Sequence, residues 1–227
     1  MAVKTLRARQ AEETRHLLIS VARQLFTEQG YAATSIDAII QRAGVARGAL
    51  YHHFSGKDAL FRAVYDAVQA DAVSGVMAAA LAVQEPWAAV RAGLSAFLDA
   101  CLEPTFRRVV VLDSVSVLQQ DVWEGGIEHI ELPMLRTVLT PLVTSDALPG
   151  VAVEPLVHVT LGGLYGAALF IARSPHPKTA RSEVDVVLDA LIGGLRTQIG
   201  GVVSREVKSR PGRGGPRRWD LPAQHAT

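Results

Sequence analysis

The stretch Thr34–Phe54 reads TSIDAIIQRAGVARGALYHHF and contains two short helical patterns on either side of a glycine. Thr34 and Ser35 can each cap the first helix, and Gly44 can adopt the positive φ that ends it. A second short helix is expected over residues 46–53. Two helices joined by such a turn have the outline of a helix-turn-helix, whose second helix enters the DNA major groove.

Hydrogen-bond donors are expected on the exposed side of the second helix. Arg47, Tyr51 and the adjacent His52 and His53 are residue types that suit bases and phosphates. Partial burial between helices is the competing interpretation for the tyrosine and both histidines. Neighbouring histidines point about 100° apart on a helix, so this pair cannot hold one metal ion. Because two helices joined by glycine also occur in ordinary helical cores, the pattern alone leaves DNA binding as a hypothesis.

Helical patterns continue on both sides of this unit. Before it, apolar residues recur three and four positions apart from Leu18 to Phe26, and Gly30 is a suitable stop. After it, Ser55 is expected to cap a helix that runs to about Val83. Alanine and leucine, which favour helix, are abundant along the chain. The sequence therefore predicts an all-α fold.

The second half of the chain is also expected to be helical. Pro86 can open one helix, and Phe106 begins the next. Further helices are expected over 120–145, with an interruption or kink near two prolines, over 155–172, and around 184–195. Residues 155–172 carry no formal charge but include a histidine, a threonine and three glycines. A buried helix is therefore favoured there over a membrane span.

Charge is segregated along the chain although the formal net charge is only +1. Residues 1–62 hold nine Lys and Arg against five Asp and Glu, residues 63–203 hold eight against fifteen, and residues 204–227 hold six against two. Two basic ends around an acidic middle indicate separate roles for the segments, although solubility alone would also explain basic ends. The last segment lacks apolar periodicity and is expected to be a disordered tail.

Residues 11–68 resemble the DNA-binding domain of the TetR family of bacterial one-component transcriptional regulators. The run Gly44–Phe54, followed by SGKDALF at Ser55–Phe61, resembles that family's most distinctive signature. Two residues depart from the family pattern: Ile40 stands where a small alanine is common, and Ala46 stands where Ser or Thr usually caps the third helix. The resemblance implies a basic N-terminal arm over 1–10, a DNA-binding domain over 11–68 with its helix-turn-helix at about 35–54, a helical ligand-binding and dimerisation domain over 69–203, and a basic tail over 204–227.

Carried over position by position, the resemblance also implies the DNA contacts. Arg47 and Gly48 would face base edges, the arginine through a guanine, and Tyr51 would contact phosphate or a thymine methyl group. Arg42 would reach either base or phosphate, and His52 is a further candidate. The residues expected to hold the DNA backbone are Thr34, Ser35, His53 and Lys57, the lysine being helped by a helix N-terminus.

The family layout further implies a small-molecule cavity and a dimer interface in the second domain. A few polar groups among apolar walls suit a small, largely apolar effector, although a tight core is the alternative for each residue. The residues expected to line the cavity are Phe97, Cys101, Phe106, Val110, Asp113, Trp123, Leu135, His158 and Tyr165. The residues expected at the dimer interface, where small side chains let helices approach closely, are Gly162, Gly166, Leu188, Leu191 and Leu195; packing within one chain is the alternative.

Other functional classes have no matching pattern in this sequence. It contains no Walker phosphate loop, no dinucleotide glycine pattern and no HExxH run, so we expect neither an enzyme nor a cofactor. Glu128, His129 and Glu131 are interpreted as solvated helix charges rather than metal ligands. One cysteine, Cys101, and the lack of a signal-peptide pattern predict a cytoplasmic protein without a disulfide framework or a membrane partner.

The predicted function is that of a homodimeric repressor that binds double-stranded operator DNA and is released by a small effector. Two alternatives remain at this point. One is a helical enzyme or ligand carrier that has kept the N-terminal module. The other is a regulator controlled by a protein partner, which a filled core without a cavity would favour.

Overall fold

The computed structural model describes residues 2–118, 127–145 and 147–202, and every regular element in these ranges is a helix, as the sequence predicts. The first elements are α1 (Ala2–Ala33), α2 (Ile36–Ala43), α3 (Arg47–His53), α4 (Lys57–Leu81) and α5 (Pro86–Ala100). They are followed by α6 (Phe106–Asp113), which has π-helical hydrogen bonding, α7 (Ser114–Val117), α8 (Ile127–Thr144), α9 (Val153–Arg173) and α10 (Pro177–Val202).

Local signals explain how the short helices begin and end. The Ser35 side chain caps α2 by accepting a hydrogen bond from the Ala38 amide at 3.1 Å. Gly44 ends the helix with φ 66° and ψ 29°, a left-handed conformation that favours glycine. Ala46 precedes α3 without a side-chain cap, as expected from the missing hydroxyl. The prediction that Ser55 caps α4 is wrong, because that helix begins two residues later.

The end of α1 bends at Gly30 instead of stopping there. This residue has φ 80° and ψ 169°, and the helix then resumes for one short turn to Ala33. A Cβ on Gly30 would lie 1.9 Å from Nη2 of Arg108. Glycine is therefore favoured here for two reasons, its positive φ and the close approach of a side chain from α6.

A first core joins the N-terminal helices and continues into the second half of the chain. Phe26 and Phe61 are fully buried, and their rings meet edge to face with centroids 5.2 Å apart. Burying each ring stabilises the fold by roughly 1.5–3 kcal/mol. Val109 of α6 and Ile171 of α9, both fully buried, belong to the same cluster. The N-terminal helices are thus packed directly onto the helices that follow them.

A second core lies between α5, α8 and α9. Leucines of α8, including Leu139 and Leu142, point into it together with Val157 of α9. Pro133 and Pro141 lie inside α8, yet the helix runs through both. No interruption is therefore present between residues 127 and 144, and the expectation of a kink stays a prediction. Each proline removes one backbone donor, while the buried leucines hold the helix against its neighbours.

Candidate functional site

Helix α3 has an exposed side that carries polar groups and a buried side that packs against the core. Leu50 is fully buried beneath it, whereas Arg47, Gly48 and His52 are exposed and 48% of Tyr51 is accessible. Arg47 forms an ion pair with Asp37 of α2, and both side chains are more than half exposed. Such a surface pair contributes little free energy, so the guanidinium remains available to another anion.

The other residues predicted to contact DNA differ in solvent exposure and in the partners that their side chains already have. Arg42 is exposed and pairs with Glu28 at 2.9 Å, and Ser35 is exposed while its hydroxyl caps α2. His53 is half-buried, with its ring centroid 5.1 Å from that of His52. Arg42 and Ser35 are therefore accessible to solvent, and His53 is accessible in part. Their contacts with DNA remain predictions.

Two of the expected backbone contacts need correction. The Thr34 side chain is buried, and its hydroxyl donates to the Gly30 carbonyl at 2.8 Å, so it has no free group for phosphate. Lys57 donates from Nζ to the carbonyls of Tyr31 and Thr34 at 2.8 and 2.9 Å. Its ammonium also lies 4.0 Å from the centroid of the Tyr31 ring. Lys57 thus ties α1 to the start of α4, where the sequence predicted a phosphate contact.

Tyr31 connects these groups and was not recognised from the sequence. Its ring packs edge to face on Phe61 with centroids 5.0 Å apart, and its hydroxyl donates to Asp58. Burial, together with the Asp58 carboxylate, raises the pKa of Tyr31 to about 12, so the phenol keeps its proton. The only sequence signal for this role was its position directly after a glycine able to bend α1.

A polar joint links the end of α1 to α6. The Tyr31 amide donates to Oδ2 of Asp113 at 2.8 Å, and Arg108 donates to the same oxygen at 3.2 Å. The hydroxyls of Thr27, on α1, and Thr105, just before α6, are also hydrogen-bonded, at 3.1 Å. Asp113, expected in the cavity, belongs to this joint because it lies at the C-terminal end of α6 beside the bend in α1.

A small apolar cavity lies between α4, α5, α6, α8 and α9. Its volume is about 50 Å³, and a neighbouring cavity of about 30 Å³ is separated from it by shared side chains such as Phe97 and Met134. Five of the predicted residues line the larger cavity: Phe97, Phe106, Val110, Leu135 and Tyr165. A cavity of this size holds a few water molecules at most, whereas binding sites for drug-sized ligands need several hundred Å³.

Other residues predicted for the cavity lie elsewhere. Cys101 is buried in the first core, where burial raises the pKa of its thiol to about 12. His158 is exposed on α9, so its side chain faces away from the cavity. Trp123 lies outside the described residues. The errors at Cys101 and His158 have one physical origin, because the family layout indicates which helices surround a cavity without showing which neighbour each side chain meets.

A buried polar cluster forms one wall of the cavity, and the sequence interpretation missed it. Only 9% of Glu131 is exposed, and its Oε1 accepts hydrogen bonds from Tyr165, at 3.1 Å, and from Gln69. Gln69 also donates to the Tyr65 hydroxyl at 3.0 Å. Oε2 of Glu131 is buried without a hydrogen-bond partner among the described residues. Burial raises the pKa of this carboxyl and outweighs the two hydrogen bonds, which lower it.

An apolar surface runs along α9 and α10. On α9, Val159 is 74% exposed and Phe170 53%, with Gly162 and Gly166 exposed between them. The exposed apolar residues of α10 are Val186, Val187, Leu191 and Leu195. Leu188, also predicted for the dimer interface, is half-buried and packs against both cores. We call the exposed set on the two helices the α9–α10 face.

Two further observations concern membrane and metal. Helix α9 is long and apolar enough to cross a bilayer by length and composition, and 28% of its most apolar window is buried. A single such helix is weak evidence for a membrane span, since helices in the cores of soluble proteins pass the same test. Within the part of the chain that the structure describes, no group of three His, Cys, Asp or Glu residues is arranged to hold a metal ion.

An exposed recognition helix on an N-terminal helical unit, followed by a cavity-bearing helical domain, defines a class of DNA-binding transcriptional regulators. Residues 18–64 match the model of bacterial regulatory proteins of the tetR family, and residues 87–195 match that of the tetracycline repressor-like C-terminal domain. The chain is 33% identical over 157 residues to the HTH-type transcriptional regulator SrpR of Pseudomonas putida, covering 66% of this chain and 69% of that protein. The chain belongs to the TetR family of transcriptional regulators.

Solved structures agree with this assignment. A TetR-family regulator from Pectobacterium atrosepticum is 29% identical and superposes with a TM-score of 0.74, covering 82% of this chain and 96% of that one. RolR, crystallised with resorcinol, superposes with a TM-score of 0.61 over 89% of this chain and 98% of that chain. At 18% identity, the likeness to RolR shows the fold alone. These relatives are regulators, which agrees with the expectation that the chain is not an enzyme.

Proposed function

We propose that this protein is a homodimeric repressor that binds operator DNA through α3 and is released by a small, mostly apolar effector. The observation that carries the proposal is the exposed row Arg47, Gly48 and Tyr51 on a helix anchored by Leu50. An arginine at the start of a recognition helix can donate two hydrogen bonds to one guanine. The adjacent glycine lets the helix backbone approach the bases closely, because no Cβ stands in the way.

Dimerisation is supported by the α9–α10 face. Exposed valine, leucine and phenylalanine side chains on two neighbouring helices form an apolar surface that a second copy of the chain would cover. The exposed glycines of α9 add no side chain to keep the partner helix away. A symmetric pair would present two α3 helices to two half-sites of DNA, and their separation must match the helical repeat.

Effector response is supported by the position of α6 between cavity and joint. Val110 and Val111 of α6 line the cavity, whereas Arg108 and Asp113 of the same short helix hold the end of α1 at Tyr31. A ligand that widens the cavity must displace its walls, because packed side chains leave little slack. Displacing α6 would move α1 and the helices packed on it. We call α1, α2, α3 and the start of α4 the reading unit, and α3 the reading helix. The second route is α4, which runs from Lys57 to the cavity wall.

The DNA-binding proposal is tested by selecting bound duplexes from a random pool and measuring affinities at fixed salt. We expect enrichment of an inverted repeat and a loss of about 1–3 kcal/mol in binding free energy for Arg47→Ala, with one base preference relaxed. Arg136→Ala is the matched control, since Arg136 pairs with Glu154 on the surface of α8. Equal losses for both variants, or no enriched sequence, would contradict the proposal.

The dimer is tested by sedimentation velocity. Val187→Glu, on the α9–α10 face, should shift the protein toward monomer, since it places a charge in an apolar interface. Val115→Glu is the control because Val115, at 53%, is about as exposed as Val187, at 56%, but lies on α7. If Val187→Glu sediments as the unaltered protein does, the α9–α10 face is not the dimer interface.

A further inference from the structure

We propose that the cavity binds a small apolar amine whose ammonium group pairs with Oε2 of Glu131. The proposal rests on the effector cavity of the proposed function and names the chemistry that this site selects. It depends on the buried carboxyl group in the cavity wall, whose two oxygens differ in their hydrogen bonding.

One oxygen of this carboxyl is fully used and the other is not. Oε1 accepts hydrogen bonds from Gln69 and Tyr165, whereas Oε2 is buried without a partner among the described residues. An unpaired buried carboxylate oxygen is costly, because water no longer solvates it and nothing replaces the lost hydrogen bonds. A ligand that donates to Oε2 would remove this cost.

The missing partner is best supplied as a cation. No ion pair within the described part of the chain involves Glu131. Arg62, the basic side chain near Tyr65, lies 3.7 Å from Asp66 through Nε, and its Nη1 is buried without a hydrogen-bond partner among the described residues. The phenols of Tyr65 and Tyr165 keep their protons, because burial and the Glu131 charge both raise their pKa values. An ammonium group brings both the N–H donor and the positive charge that the carboxylate lacks.

The rest of the cavity suits the apolar part of such a molecule. Phe97 and Phe106 stand perpendicular with ring centroids 6.3 Å apart, and the remaining walls are mostly aliphatic. Aromatic faces also attract a nearby ammonium group. Because the cavity is only about 50 Å³, entry requires side chains to turn aside. Met134, which stands between the two cavities, is unbranched and adapts readily.

The test compares three probes of one carbon skeleton: 3-phenylpropylamine, 3-phenylpropan-1-ol and 3-phenylpropanoate. Their affinities for the full chain without DNA are measured by calorimetry at pH 7.5. We expect the amine to bind about ten- to a hundredfold more tightly than the alcohol, as for a charged hydrogen bond, and the carboxylate to bind most weakly. Glu131→Gln should bring amine and alcohol within about twofold, since it keeps the shape and removes the charge.

Glu154→Gln is the matched control, because it removes an exposed acidic charge that pairs with Arg136 and does not line the cavity. This variant should keep the preference for the amine. The proposal is overturned if none of the probes binds, if the alcohol binds as tightly as the amine, or if Glu131→Gln keeps the preference. Because these affinities are measured without DNA, release of operator DNA by the amine is a separate measurement. Amine selectivity without such release would uphold this proposal and refute the effector part of the proposed function.

Discussion

The N-terminal reading unit and the cavity domain are built from the same kinds of helices but packed in opposite ways. Around Phe26 and Phe61 the core is filled by interlocking aromatic rings. Between α4, α6 and α8 the walls leave a void beside a carboxyl group, one oxygen of which has no hydrogen-bond partner in the described ranges. A filled core holds the reading helix in one position, whereas an unfilled, polar-edged core can be completed by a ligand. The contrast is what the proposed function requires, because a rigid DNA-binding unit must be combined with a domain that a ligand can deform.

The largest expected effect separates the two kinds of packing. Phe61→Ala should lower the free energy of unfolding by about 3–5 kcal/mol, since it opens a void in a filled core. Phe97→Ala, in the cavity wall, should cost clearly less, because Phe97 already borders empty space. Urea denaturation of both variants measures the difference. Equal losses would show that the two regions are packed alike.

The next expected effect concerns the bend in α1. Gly30→Ala should cost about 2–3 kcal/mol, since φ 80° with ψ 169° is a conformation reserved for glycine. Gly44→Ala is the comparison and should cost about 1–2 kcal/mol. Gly44 also has a positive φ, but an added Cβ would meet no described side chain within 4 Å, so only the backbone strain remains. Adding Arg108→Ala to Gly30→Ala removes the steric contact and leaves the backbone strain. Full recovery of stability in that double variant would place the cost in the contact alone.

A smaller effect should separate stability from DNA binding. Gly48→Ala should raise the free energy of unfolding by about 0.5–1 kcal/mol, because alanine favours helix and, in the described part of the chain, no atom apart from the local helix backbone and the two neighbouring residues lies within 4 Å of the new Cβ. The same methyl group would stand between α3 and the bases and weaken operator binding. Denaturation and duplex titrations of one preparation measure both quantities. A variant that gained stability and kept full DNA affinity would remove Gly48 from the reading surface.

The smallest expected effect is a pH dependence of stability. Since the pKa of Glu131 is raised in the folded protein, folding favours its protonated form, and stability falls as the pH rises from about 4.5 through the folded-state pKa. Glu131→Gln should remove this fall and gain most over the unaltered chain at neutral pH. Thermal unfolding from pH 4 to pH 8 measures it. A constant difference between the two proteins across that range would count against a buried, ionising carboxyl.

The reading unit could be predicted because its signals are local. Ser35, Gly44 and the missing cap at Ala46 each act within one turn of helix, so their residue types alone indicate the geometry. Ser55 misled for the same reason: it is a good capping residue, yet the helix begins beyond it at Lys57. Residue types near a helix end therefore indicate several possible first residues, and the packing of the helix determines which of them begins it.

The cavity and the joint could be predicted only in part because both depend on contacts between distant segments. Glu131 was interpreted as a solvated helix charge, and only the packing of α4 and α9 onto α8 buries it. Asp113 and Lys57 were assigned to ligand and DNA, whereas Tyr31, 82 and 26 residues away, engages each of them. Five apolar or aromatic cavity residues were found because family layout and helical spacing agree on inward positions.

In the proposed function, the cavity and α3 are coupled through the contact of Asp113 with Tyr31. The most direct measurement is a titration of 3-phenylpropylamine against the unaltered protein and Asp113→Ala, each with and without the selected operator duplex at fixed salt. Asp99→Ala is the charge-matched control, since Asp99 is exposed and pairs with Arg181. Reciprocity requires DNA to weaken amine binding by the same factor by which the amine weakens DNA binding, about 5- to 150-fold. We expect that factor for the unaltered protein and for Asp99→Ala, and a factor near one for Asp113→Ala. Equal amine affinities with and without DNA in the unaltered protein would show that the cavity and α3 are not coupled.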